Sequence, residues 1–135
     1  MPYFGQMQIK TFNPPGAPQA VGPYSHVVCA GSFCFCSGQI PLDPKTGDMV
    51  VGGIEPQAIQ VMENIGTILR SVGLDFSRVV KVVIYLVDLQ EFAIVNQVYS
   101  KYFTSHFPAR STVQVVALPR GACIEIEVSA IFTDL

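Results

Sequence analysis

The sequence predicts an α+β chain in which two helices lie against one face of a six-stranded sheet. Three observations carry that expectation. Strand-like and helix-like runs follow one another as three strands, helix, strand, helix, two strands. Between Ala58 and Val72 the apolar residues recur at spacings of three and four, which is the period of a helix with one buried face. The run "VVKVVIYLV" at 79–87 is apolar at odd and even positions except Lys81, as in a strand covered on both faces. Two helices cover only one face of such a sheet, so its other face must meet something besides water, most simply another copy of the chain.

A first strand is expected over Gln6 to Phe12, followed by "NPPGAPQAVGPYS", too rich in Pro and Gly for helix or central strand. "HVVCAGSFCFCSG" reads as two strands hinged near Gly31, and "IPLDPKTGDMV" as a turn region. Pro56 suits a first helical turn. Ala58, Val61, Met62, Ile65, Ile68, Leu69 and Val72 form the buried stripe, and Gly73 ends the helix. After the strand at 79–87, "DLQE" has capping-box spacing, with Asp88 as cap and Glu91 reaching back. The second helix runs to about Ser105 with Phe92, Val95, Tyr99, Tyr102 and Phe103 inward. "TVQVVAL" reads as a buried strand. In "CIEIEVSAIF", Ile124, Ile126, Val128, Ala130 and Phe132 share one face, and Glu125 and Glu127 the other.

With no repeat or linker, residues 1–135 read as a single domain. Only 13% of the residues are charged, about half the usual share of ~25%, which points to an oligomer. The net charge of −2 and the absence of any basic run count against nucleic acid and anionic membrane. No stretch suits a membrane span or signal peptide, so a cytoplasmic chain is expected. The cysteines, Cys29, Cys34, Cys36 and Cys123, form no CxxC and are expected to be reduced, with Cys34 and Cys36 on one face. No zinc site is expected, and none for any other metal.

Arg110, at the mouth of a strand in "FPARS", offers a planar cation suited to a carboxylate. It reads equally as a structural cation paired with an acid. Glu125 and Glu127 read either as proton-handling groups or as a solvated face. Tyr24 reads as a pocket phenol or a plug, and Asn96 as a site amide or a satisfied polar residue. No GxGxxG or GxSxG is present, and His26 and His106 have no evident partners. What remains is metal-free acid–base chemistry on a small carboxylate-bearing molecule. Were the last two strands a plain hairpin through "PRG", Glu125 would lie about 17 Å from Arg110. Either the strands pair otherwise, or the site draws on two chains.

In order, "GPYS" at 22–25, "SGQIPLDPKTG" at 37–47, "VVK" at 79–81, "FAIVNQVYSKYF" at 92–103, "FPARS" at 107–111 and "IEIE" at 124–127 resemble the Rid family, most closely its RidA branch of enamine/imine deaminases. The resemblance spans about residues 10 to 133. It implies a chorismate-mutase-like α+β fold with a mixed sheet, a homotrimer with sites between subunits, and cofactor-free hydrolysis of 2-aminoacrylate and related imines to keto acids and ammonia. Carried over, Arg110 would hold the substrate carboxylate and Glu125 would orient or deprotonate water. Tyr24 would line the pocket and assist proton transfer. Ser37 and Gly38 would flank the substrate, and Asn96 would complete the cleft. Glu127 is left out, because the match places the functional acid first. Thr112 stands where many RidA chains have Cys, so it offers a hydroxyl in place of a thiol. His26 stands where Gln is usual and is expected one strand step beyond the pocket. The rival readings are a non-catalytic carboxylate sensor, an RNA-directed ribonuclease or translation inhibitor, and a holdase.

Overall fold

The first helix shows how the local sequence dictates structure in this chain. Helix α1 (Ile54–Ser71) buries Ile54, Ala58, Val61, Met62, Ile65, Ile68 and Leu69, the expected stripe extended by one turn at its start but without Val72, which caps the helix and is half-buried. Its end is a Schellman motif. Leu74 N–H donates to Leu69 O at 2.9 Å and Gly73 N–H to Arg70 O at 3.1 Å. That geometry needs a left-handed residue after the cap, and Gly73 supplies it at φ 80°. Ile65, Ile68 and Leu69 are fully buried, so truncating any of them to Ala should cost about 2–5 kcal/mol.

The computed structural model describes residues 8–132. Its strands are β1 (Ile9–Phe12), β2 (Val27–Ala30), β3 (Phe33–Gln39), β4 (Val79–Leu86), β5 (Ala109–Gln114) and β6 (Ile124–Ile131), and the second helix is α2 (Phe92–Ser100). The expected start of β1 at Gln6 lies outside the described residues. The sheet runs β1-β2-β3-β6-β4-β5. Its pairs are antiparallel except β4 with β5, which are joined through α2 and run parallel. The sheet is therefore mixed, and both helices contribute to a core on one face of it.

Several expectations are corrected. The last two strands do not form a hairpin, because β4 lies between β5 and β6. β5 begins earlier than expected, at Ala109. It is an edge strand, not a buried one, and Val113 is 42% exposed because β4 is its only partner. Asp88 does cap, accepting from Gln90 N–H at 3.0 Å, but what it caps is a short 3-10 turn over Leu89–Glu91. Helix α2 starts after that turn with no side-chain cap bond from Glu91. It stops at Ser100, where Lys101 and Tyr102 N–H tighten onto carbonyls three residues back. Of the residues assigned to its inner face, Val95, Tyr99 and Phe103 are buried, whereas Phe92 is 40% exposed.

Cys29 and Cys34 are direct partners across β2 and β3, with Cα atoms 4.1 Å apart and sulfurs at 2.17 Å, a disulfide in place of the expected thiols. The narrow pairing of facing strand residues brings the two side chains together, a proximity that spacing alone does not reveal. Cys34 and Cys36 do share the core face. His26 also has partners. Its buried ring meets Asn13 Oδ1 at 3.1 Å and Pro18 O, pinning the Pro-rich loop that leads to Tyr24. His106 Nε2 lies 2.8 Å from Val79 O.

The sheet face away from the helices carries Phe33, Phe35 and Val113, each more than two-fifths exposed, beside half-buried Val83, Tyr85 and Ile131. In β4, Val79, Val82, Ile84 and Leu86 are buried against the helices, and the alternate positions face outward.

Candidate active site

Arg110 lies on the helix side of the edge strand. Its register partner is Val82, a core residue, so its side chain rises beneath α2. There the guanidinium carbon sits 4.8 Å from the Tyr99 ring centroid and 5.4 Å from that of Phe92. Among the described residues no carboxylate lies within 4.0 Å of it. Two aromatic faces hold the cation and leave its N–H edges uncommitted, which disfavours the reading of Arg110 as a structural ion-pair partner. Asn96, half-buried one turn after Phe92 on α2, lines the same cleft of about 270 Å³, with Phe107 and Pro108 on the opposite wall. Burial pushes the Tyr99 hydroxyl up to about 12, partly offset by the Arg110 charge. Thr112 lies two residues along the same face of β5, and its buried Oγ1 has no hydrogen-bond partner among the described residues.

Glu125 lies on the opposite face of the sheet. It pairs directly with Tyr85 and shares a cleft of about 420 Å³ with Tyr24, Ser37, Gly38, Pro119 and Glu127. Gly38 falls where β3 and β6 slip register between Cys36 and Gln39, and the Glu125 carboxylate rests against its backbone. A Cβ there would sit 2.1 Å from Glu125 Oε2, so only glycine leaves the carboxylate in place. Ser37 does not present a free hydroxyl to this cleft. Its Oγ donates to Ser25 O at 2.6 Å and ties β3 to the segment bearing Tyr24. Tyr24 is 43% exposed and accepts from Val21 N–H at 3.3 Å. Partial burial raises the Glu125 proton affinity above the ordinary carboxylate value, and the charge of Glu127 adds to it.

The seven residues singled out from sequence therefore fall into two groups. Tyr24, Ser37, Gly38 and Glu125 gather on the open face, while Arg110 and Asn96 gather under α2 with Thr112 beside them. From the register, Arg110 and Glu125 are two strands and three residues apart, roughly 14 Å between Cα atoms, and they point to opposite faces. No small ligand reaches both within one chain. The sequence reading missed the Phe92 and Tyr99 clamp as a feature of the site, the entry of Glu127 into the Glu125 cleft, and the Tyr85 hydroxyl that donates to Glu127. Only the four-residue spacing of Phe92, Asn96 and the nearby Tyr99 along α2 hinted at the first of these.

Fold and clefts define an α+β chain of chorismate-mutase-like architecture that displays an uncommitted guanidinium on one face and a carboxyl of raised proton affinity on the other. The family model described as Endoribonuclease L-PSP matches residues 15–132. The chain therefore belongs to that family, and within it to the RidA branch of the Rid proteins. It is 48% identical over 115 residues to the 2-iminobutanoate/2-iminopropanoate deaminase of Homo sapiens, covering 85% of this chain and 84% of that one. The crystal structure of YyfA from Yersinia pestis, a Rid family protein of unknown function, superposes with a TM-score of 0.90 at 42% identity, over 93% of this chain and 100% of that one. E. coli TdcF with bound serine superposes with a TM-score of 0.88 at 37% identity, over 92% and 99% of the two chains. No helix among the described residues is long and apolar enough to cross a membrane.

Proposed function

We propose that this chain is an enamine/imine deaminase, hydrolysing 2-iminobutanoate, 2-iminopropanoate and their enamine tautomers to 2-keto acids and ammonia. Its active site is assembled where the Arg110 cleft of one copy meets the Glu125 cleft of a neighbour in a homotrimer. The observation that carries this reading is the uncommitted Arg110 guanidinium on the sheet face opposite Glu125. Each half-cleft lacks what the other supplies, and the apolar open face offers a surface through which copies can meet. Identity to named deaminases over most of the chain and the amino acid bound to a close structural neighbour support the same substrate class.

In the reaction, Arg110 holds the substrate carboxylate and fixes the imine carbon beside a water on Glu125. Glu125 takes a proton as the water oxygen bonds to that carbon, the C=N electron pair moves to nitrogen, and Glu125 passes that proton to the nitrogen. The resulting carbinolamine collapses. Glu125, ionised again, takes the hydroxyl proton as the C–O bond becomes C=O, the C–N bond breaks, and the nitrogen leaves as ammonia with that proton delivered by Glu125. Tyr24 lines the cleft on the same side and assists the transfer. A carboxyl with raised proton affinity suits this two-way traffic, and general acid–base assistance of this kind contributes ~10²- to 10⁴-fold.

The test generates imine with a serine/threonine dehydratase and follows its decay by semicarbazone trapping. The parent should accelerate decay, and folded Arg110→Ala and Glu125→Ala should not. Mixed in equal amounts and allowed to exchange subunits, the two inactive variants should recover about a quarter of the parent activity, because one site in four pairs an intact Arg110 with an intact Glu125. No recovery would overturn the shared site. Full activity of Arg110→Ala would overturn the deaminase reading. A ribonuclease reading fits the cleft less well, because Glu125 and Glu127 face the space a phosphodiester would occupy.

A further inference from the structure

Glu127 has no part in the reaction as drawn, yet it shares the Glu125 cleft and is held there by a partner of its own. The two carboxylates project from alternate positions of β6 onto the open face. Across the strand boundary Tyr85 pairs directly with Glu125, Val83 pairs with Glu127, and the Tyr85 hydroxyl donates to Glu127 Oε1. Two acids so placed repel when both are ionised, and a carboxylate fixed in place by a hydrogen-bond donor disfavours ionisation of the acid beside it.

We propose that Tyr85 and Glu127 are positioning residues for Glu125: the Tyr85 phenol fixes the Glu127 carboxylate inside the Glu125 cleft, and that neighbouring carboxylate strengthens the hold of Glu125 on the proton it takes from water and passes to the substrate nitrogen. The use made of that proton rests on the deaminase reading above, but the electrostatic arrangement belongs to the chain itself.

The other groups around the cleft leave this control to the pair. From β4, the Lys81 ammonium is turned toward Ser111 Oγ at 3.4 Å, on the far side from β3. From the turn at Pro119–Gly121, the Arg120 guanidinium donates to Gly47 O at 3.1 Å. β3 contributes only the uncharged Ser37 and Gly38, and the preceding loop contributes the Tyr24 phenol. Tyr85 remains a donor at any working pH, since its hydrogen bond to Glu127, followed by burial and the two nearby charges, pushes its proton affinity up to about 12. The direction of the Glu125 shift, raised by burial and then by Glu127, agrees.

The experiment reads the Glu125 carboxyl directly by carbon-13 NMR of glutamate-labelled protein, assigned with Glu125→Gln, alongside the pH dependence of kcat/KM. In Glu127→Gln the Glu125 titration should move to lower pH by about half a unit or more. Tyr85→Phe should move it less, in the same direction. The double variant should match Glu127→Gln alone, because without the charge the phenol has nothing to hold. The limb of kcat/KM governed by Glu125 should move with it. A Glu125 titration unchanged in folded Glu127→Gln overturns the proposal, as do additive shifts in the double variant. If the NMR shifts appear as expected while the parent hydrolyses no imine, the inference stands and the deaminase reading falls.

Discussion

Substituting Gly38 by Ala isolates the placement of the Glu125 carboxylate from the stability of the fold. The added Cβ would lie 2.1 Å from Glu125 Oε2, 2.8 Å from its Cδ and 3.1 Å from its Cγ. Ordinary contact begins near 3.4 Å, so the oxygen must retreat by more than about 1 Å. The atoms in the way belong to a half-buried, flexible side chain, and Gly38 is not among the glycines held at positive φ. The fold should therefore accept alanine, with a stability change within about 1 kcal/mol and a small gain from the stiffer unfolded chain. Catalysis should not accept it. A reacting group misplaced by about 1 Å loses on the order of 10²-fold in rate. The assay is kcat/KM for imine hydrolysis in the coupled trapping reaction, with Tm and oligomeric mass measured on the same preparation. Undiminished kcat/KM in Gly38→Ala would refute the role given to this glycine. A collapse of Tm would refute the claim that only the carboxylate has to move.

Further expectations follow from the same geometry. Phe92→Leu removes one face of the Arg110 clamp at an exposed position, and should raise KM roughly fivefold, about 1 kcal/mol of cation–π support, with little change in kcat. Glu125 has a folded-state proton affinity above its ordinary value, so its contribution to stability is present below that ordinary value and is lost as pH rises through the raised one. Glu125→Gln should accordingly melt higher than the parent at pH 7 and no higher at pH 4, which thermal scans at the two pH values will read. In denaturant without reductant, thiol titration should find Cys36 and Cys123 free, and all four cysteines after reduction. In the folded protein Cys36 should react far more slowly than half-buried Cys123, because burial both blocks it and pushes its thiol up to about 12.

The sequence by itself determined what depends on neighbours along the chain. The apolar period set α1 and its buried face, Gly73 marked its end, and the alternation in "IEIEV" placed Glu125 and Glu127 together on one side of β6. The quoted motifs also carried the family. Strand order was decided only in three dimensions, because pairing depends on contacts between distant segments, and β4 inserting between β5 and β6 leaves no mark in either. That insertion made β5 an edge and exposed Val113. It also set Arg110 and Glu125 on opposite faces of the sheet. The same is true of Cys29 with Cys34, His26 with Asn13, and Tyr85 with Glu127. Each of these pairs forms between residues from different segments, and only the folded backbone brings them within reach of short-range forces.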